Sequence, residues 1–185
     1  MSLRHLAELS ELAQQSAADL DDVVARYVEL VRTTFRGGGT VYFAGNGGSA
    51  AHAQHIATEY VVRYKPVKRR AAPVIALSTD SSLLTASGND LGFDEIFARQ
   101  VEAHGRHGDL LVLVSTSGNS KNLLRAAETA KARGVGTVAL LAAGGGPLKN
   151  LVDLAIVVPT NDTALAQEIQ LAIDHHVCSL IEGEL

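Results

Sequence analysis

After a triple glycine at residues 37–39, the chain alternates strictly between short aliphatic runs and stretches with helical spacing. The aliphatic runs lie at residues 40–44 (TVYFA), 73–78 (PVIALS), 110–115 (LLVLVS), 137–141 (TVALL) and 154–159 (LAIVVP). Residues 49–62, 81–87, 94–104, 120–133 and 163–182 between and after them predict helices, with a short helical turn at 147–151. A strand that is apolar at every position is covered on both faces, whereas one with a wet face alternates. Such strands joined by helices predict a parallel sheet between two helical layers, which is a doubly wound α/β fold of five strands.

Residues 1–36 stand ahead of this alternation and read as a helical segment; residues 37–185 form the α/β part of what we expect to be one domain. Leu3, Leu6, Leu9 and Leu12 recur on one side, and Leu20, Val23, Val24, Tyr27, Leu30 and Val31 continue the spacing. Asp19, Asp21 and Asp22 mark a break or a second helix start. An apolar stripe with no strand of its own to cover is expected to pack against another copy of the chain; the other arrangement lays it across its own sheet. Hydrophobic residues make up 46% of the chain, enough for a sizeable core. The net charge of −4 disfavours binding nucleic acid through its phosphates. The single cysteine, Cys178, excludes an intrachain disulfide and suits a reducing compartment. The first residues lack the apolar core of a signal peptide, and no apolar run approaches the ~20 residues that cross a bilayer. The expectation is a cytoplasmic protein without a membrane partner.

Two loops of small residues follow predicted strands. The first is Gly45-Asn46-Gly47-Gly48-Ser49; the second is Ser115-Thr116-Ser117-Gly118-Asn119-Ser120. Both fall at the carboxyl end of a parallel strand and open a helix, where sheets of this type bind ligands and where free N–H groups attract anions. Glycine lets the backbone approach a ligand, and the hydroxyls of Ser115, Thr116, Ser117 and Ser120 supply short donors. The pair reads as a cradle for a phosphate and its polyhydroxy chain, although small residues also make tight strand-to-helix turns with no ligand. The absence of G-K-[ST] excludes a Walker A loop. Gly45-x-Gly47-x-x-Ala50 fits the dinucleotide fingerprint, but the next acidic residue, Asp80, lies ~30 rather than ~20 positions on.

The helix after the first loop carries His52, His55 and Glu59, and the last helix carries Gln167, Glu168, Asp174, His175 and His176. His55 and Glu59 are four apart and share a helix face, a spacing that suits Zn²⁺ or a similar divalent ion. A surface pair and partly buried histidines give the same spacing, so spacing alone does not choose.

The runs GNGGSAAHAQHIATEYVVRY, GNDLGFDEIF, STSGNS and AQEIQLAIDHH, taken together and in this order, resemble the sugar isomerase (SIS) domain family, and within it the phosphoheptose isomerases. The resemblance covers essentially the whole chain. It implies substrate contacts from Asn46, Gly47, Gly48, Ser49, Glu59, Asn89, Asp90, Ser115, Thr116, Ser117, Ser120 and Gln167. It also implies one zinc ion on His55, Glu59, Gln167 and His175, an acid/base pair of Glu59 and His175, and a homotetramer with sites near subunit contacts. The implied reaction interconverts sedoheptulose 7-phosphate and D-glycero-D-manno-heptose 7-phosphate. A related replication-initiation regulator is not an enzyme and lacks the residues matching Glu59 and His175, so a silent module binding a sugar phosphate or a protein is the alternative. The chain departs from the family at Ala164-Leu165-Ala166, where an Arg-Ile pair usually precedes the glutamine. The basic run at 65–70 is expected to be a solvated loop. Gln167 and His175 are eight apart, about 12 Å along a straight helix. For both to reach one ion, either the helix is irregular, with Gln167 ahead of its first turn, or a second subunit contributes.

Overall fold

A computed structural model describes residues 3–66 and 68–185. The chain opens with α1 (Arg4–Asp19) and α2 (Asp21–Arg36). The break falls where the aspartates foreshadowed it. Leu20 closes α1 with its N–H on the Ser16 carbonyl, and Asp21 and Asp22 occupy the first turn of α2, where carboxylates favour the helix dipole. There follow β1 (Val41–Gly45), α3 (Gly48–Val61), β2 (Val74–Ala76), α4 (Ser81–Asp90), α5 (Ala98–His104), β3 (Leu110–Val114), α6 (Lys121–Ala132), β4 (Gly136–Leu141), β5 (Leu154–Val157) and α7 (Thr163–Ile181). Two elements differ from expectation. The helix expected at 94–104 splits into a 3-10 turn, Phe93–Glu95, and α5. The strand expected at 73–78 shortens to β2, an edge strand whose one partner is β1.

The five strands are parallel, in the order β2-β1-β3-β4-β5. Their side chains alternate between two cores. Phe43, Val112, Val114, Leu140 and Ile156 meet α1, α2, α3 and α7 on one face. Tyr42, Leu111, Leu113, Ala139 and Leu141 meet α5 and α6 on the other. The stripe of α2 (Val24, Tyr27, Val28, Val31, Phe35) is buried within its own chain, packed on α7 and β5. That is the second arrangement considered for this segment: α2 covers the β5 end of a sheet face that α3 and α7 do not reach. Leu3 and Leu6 of the segment stay exposed.

The chain leaves β1 towards β2, then returns to the other side of β1 to lay down β3, β4 and β5. β1 and β3 are therefore neighbours whose onward connections diverge, and such a switch point opens a crevice at their carboxyl ends. Both small-residue loops open there.

Candidate functional site

Helix starts distinguish this crevice from the rest of the sheet. α4, after β2, is capped by Asp80, whose carboxylate accepts from Leu83 N–H. α7, after β5, is capped by Asp162, which accepts from Ala164 and Leu165 N–H. α3 and α6, which follow β1 and β3, have no side-chain cap. A carboxylate cap would repel an anion, so of the four α-helices that directly follow strands β1, β2, β3 and β5, the two beside the switch point are those with uncapped starts. Gly47 precedes α3 with φ 56° and ψ −121°, a conformation strained for any residue with a Cβ. The two loops are tied together by Asn46 and Asn122, whose amides donate to one another at 2.9 Å in both directions.

About two turns further along α3, His55 and Glu59 meet His175 of α7. Their ligand atoms all lie within 4.8 Å of one another. His55 Nε2 is 2.9 Å from His175 Nε2 and 3.6 Å from Glu59 Oε1. Burial first, then the neighbouring His55, hold the His175 imidazole below its ordinary value against the pull of Glu59. A neutral ring offers a lone pair to a metal or a proton. Across a tetrahedral ion with bonds of ~2.0–2.1 Å the two nitrogens stand about 3.3 Å apart, so a small opening of this pair admits one. His55, Gly48 and Gln167 line one open groove that runs from His55 to the first loop.

With this geometry, the comparison with known proteins becomes specific. The SIS domain family matches residues 4–142. The chain belongs to the SIS domain family. A phosphoheptose isomerase of Chlorobaculum parvum is 49% identical over 183 residues, which is 98% of this chain and 88% of that protein. The solved phosphoheptose isomerase of Neisseria gonorrhoeae superposes with a TM-score of 0.91 at 37% identity, over 97% of this chain and 96% of the other. That of Francisella tularensis gives 0.94 at 32%, over 97% and 95%.

This SIS domain does not treat all of its candidate residues alike. Gln167 lies inside α7, which is regular from Thr163, so the idea that it precedes the first turn fails. Its amide rests against Gly48, where an added Cβ would come within 2.8 Å of Nε2. Ser49 is buried at the start of α3. Ser115 is also buried, and its Oγ accepts from Gly118 N–H at 3.0 Å, shaping the second loop. Ser117 accepts from Asn119 N–H, and Ser120 occupies the N-cap of α6 with its hydroxyl uncommitted to the cap. Thr116 O accepts from Ala142 N–H, fixing that loop to the end of β4. Asn89 and Asp90 sit apart at the exposed end of α4, where the Asn89 amide donates to the Asp90 carboxylate at 2.7 Å.

Other residues of this region were given no role from the sequence. Asn122 is almost fully buried, and its place in the first turn of α6, where asparagine gains little as a helix former, was the available signal. Behind His175, Asp174 is fully buried and accepts from Tyr27 OH at 2.8 Å and from His52 Nε2 at 2.7 Å. The basic run also differs from the solvated loop expected of it; its Val67 lies outside the described residues. Lys68 and Arg70 are exposed, but the Arg69 side chain is only 4% exposed because Glu182 neutralises it at 3.1 Å.

Proposed function

We propose that the crevice between β1 and β3 is the active site of an aldose–ketose isomerase acting on a seven-carbon sugar phosphate. Sedoheptulose 7-phosphate and D-glycero-D-manno-heptose 7-phosphate are its two ends. The observation that carries this reading is the meeting of His55, Glu59 and His175, with His55 on a groove that reaches Gly48 at the uncapped start of α3. A phosphate fits the N–H groups at the start of α6 and the hydroxyls of Thr116, Ser117 and Ser120, with Asn46, Gly47, Gly48 and Ser49 along the sugar. Gln167 faces the sugar from α7, and Asn89 and Asp90 belong to the site of the assembled form.

Moving a carbonyl between C1 and C2 begins with loss of the proton on the neighbouring carbon. Glu59, with a side chain only 19% exposed, is the base that takes it. His175, neutral by the effects described above, exchanges the proton on oxygen. The phosphate grip orients the chain so that C1 and C2 reach these two groups. Two imidazoles and a carboxylate make a donor set suited to Zn²⁺, which His55, Glu59 and His175 would hold, with a neighbouring subunit supplying the glutamine and Glu59 serving as base when it is off the ion. When bound, such an ion supplies Lewis-acid polarisation of a carbonyl. The exposed Leu3 and Leu6 and the exposed ends of α4 suit a homotetramer with sites near its contacts. No helix among the described residues is long and apolar enough to cross a membrane, and we place the enzyme in the cytoplasm.

The test is incubation with sedoheptulose 7-phosphate and separation of the equal-mass products, with and without a chelator. Formation of the aldose, slowed by the chelator, is expected. A protein that holds the sugar phosphate and never converts it would instead be the silent binding module.

A further inference from the structure

The three catalytic side chains hang on elements that converge on one buried ion pair, Arg69 with Glu182. Both side chains are 4% exposed, with Nε–Oε1 at 3.1 Å. Arg69 also donates to the Glu59 carbonyl at 2.6 Å and the Tyr60 carbonyl at 2.8 Å, in the last turn of α3. Those carbonyls lie where a helix runs out of its own donors. Glu182 stands just past α7 and accepts from Tyr64 N–H at 2.8 Å and Lys65 N–H at 2.7 Å. Lys65 Nζ then returns to α7, donating to Ser179 Oγ at 2.6 Å. The end of α3, the turn carrying Tyr64 and the end of α7 are thus fastened at one point.

What this fastening delivers is an aromatic ring. Tyr64 stacks on His175 with centroids 5.4 Å apart and planes at 29°. His55 meets the same imidazole edge-on, with centroids at 5.1 Å and planes at 78°. Rotation about the last torsion of a histidine is broad and weakly restrained. A metal-ligating histidine is commonly fixed by a hydrogen bond at its second nitrogen. The contacts that bear on the His175 ring are the His55 nitrogen at its Nε2 and the Tyr64 ring against its face.

We propose that Tyr64 is a positioning residue for His175. The Arg69–Glu182 pair holds its ring flat against the imidazole, so that Nε2 stays turned towards His55 and Glu59. The inference rests on the functional reading above for its consequences, though not for its geometry.

Two variants at this half-buried position separate the ring from the hydroxyl, Tyr64→Phe and Tyr64→Ala. In zinc-free protein, diethyl pyrocarbonate labelling of His175, followed by mass spectrometry, is expected to run several-fold faster in Tyr64→Ala and at the wild-type rate in Tyr64→Phe. Competition with a chromophoric chelator is expected to show zinc bound at least about tenfold more weakly by Tyr64→Ala, the usual scale for losing a ligand's outer support. Turnover with sedoheptulose 7-phosphate should fall in kcat while KM stays within about twofold, since the ring acts on the reacting end rather than on the phosphate. Glu182→Gln should reproduce a weaker form of each effect. If wild-type protein neither binds zinc nor converts the sugar, the functional reading fails, and the labelling ratio alone decides the role of Tyr64. Equal labelling and equal zinc affinity in Tyr64→Ala and wild type would overturn the proposal.

Discussion

Replacing Asp174 with alanine tests whether the polar layer behind the catalytic histidine holds the helices together. The carboxylate is fully buried and accepts two hydrogen bonds, from Tyr27 OH at 2.8 Å and from His52 Nε2 at 2.7 Å. Tyr27 is fully buried and His52 nearly so, which means that neither donor finds water once the acceptor is gone. Burial first, and the Asp174 charge second, push the Tyr27 phenol well above its ordinary range, so it remains a donor near neutral pH. A hydrogen bond to a charged acceptor is worth about 1.5–3 kcal/mol, and opening a buried pair on one side costs about 3–5 kcal/mol. We take about 3–5 kcal/mol for Asp174→Ala. At about 2–4 °C per kcal/mol for a chain of this size, Tm falls by roughly 6–20 °C. The assay is thermal unfolding followed by circular dichroism, at one protein concentration and with a chelator present, so that neither metal nor assembly shifts the midpoint. Tyr27→Phe alone, which removes one such bond, should cost about 1.5–3 kcal/mol. Combined with Asp174→Ala it should cost less than the sum, because one stranded donor has then been removed. A fall of less than about 2 °C in Asp174→Ala, against the scale just given, would refute the reasoning.

Other outcomes follow from the same structure. Asn122→Ala breaks the double amide bridge to Asn46 and should weaken sugar-phosphate binding about tenfold or more, read as KM, while leaving zinc binding unchanged. Glu182 is held below its ordinary value: burial opposes this, but the Tyr64 N–H, Arg69 and the Lys65 N–H prevail. A depressed carboxyl contributes stability that is present above its unfolded value near 4.5 and lost as pH falls through the folded one. Glu182→Gln should therefore flatten the acid limb of a stability–pH curve below about pH 4.5 and lower the plateau above it. Cys178 is buried, and burial followed by the Asp174 charge raises its thiol, so a thiol reagent should react with it only on unfolding.

Much of this molecule is visible in its sequence because the sheet is buried on both faces. Runs such as LLVLV at 110–114 have no polar position to confuse the pattern, and all five strands fall where aliphatic runs stand. Only the family resemblance brought His55, Glu59 and His175 together in the sequence, because their meeting depends on how α3 lies against α7, which no local spacing encodes. The same limit hid Asp174, whose partners lie 147 and 122 residues away in sequence. Within the basic run, Arg69 alone of the described residues departs from the solvated reading, for a related reason. A charge run usually signals a wet loop, and only the distant Glu182 makes Arg69 affordable in the interior. The α2 stripe looked unpartnered because the length of sheet left bare by α3 and α7 is a property of the assembled layers.

The most direct measurement on the central claim is isomerisation of sedoheptulose 7-phosphate in D₂O, with deuterium located in the product by NMR, for the wild-type protein and Glu59→Gln. The account predicts deuterium on the carbon beside the new carbonyl in the wild type, and neither product nor exchange in a Glu59→Gln protein that remains folded and still binds the sugar phosphate. Glu59→Gln turning over at the wild-type rate, with deuterium entering as before, would contradict it.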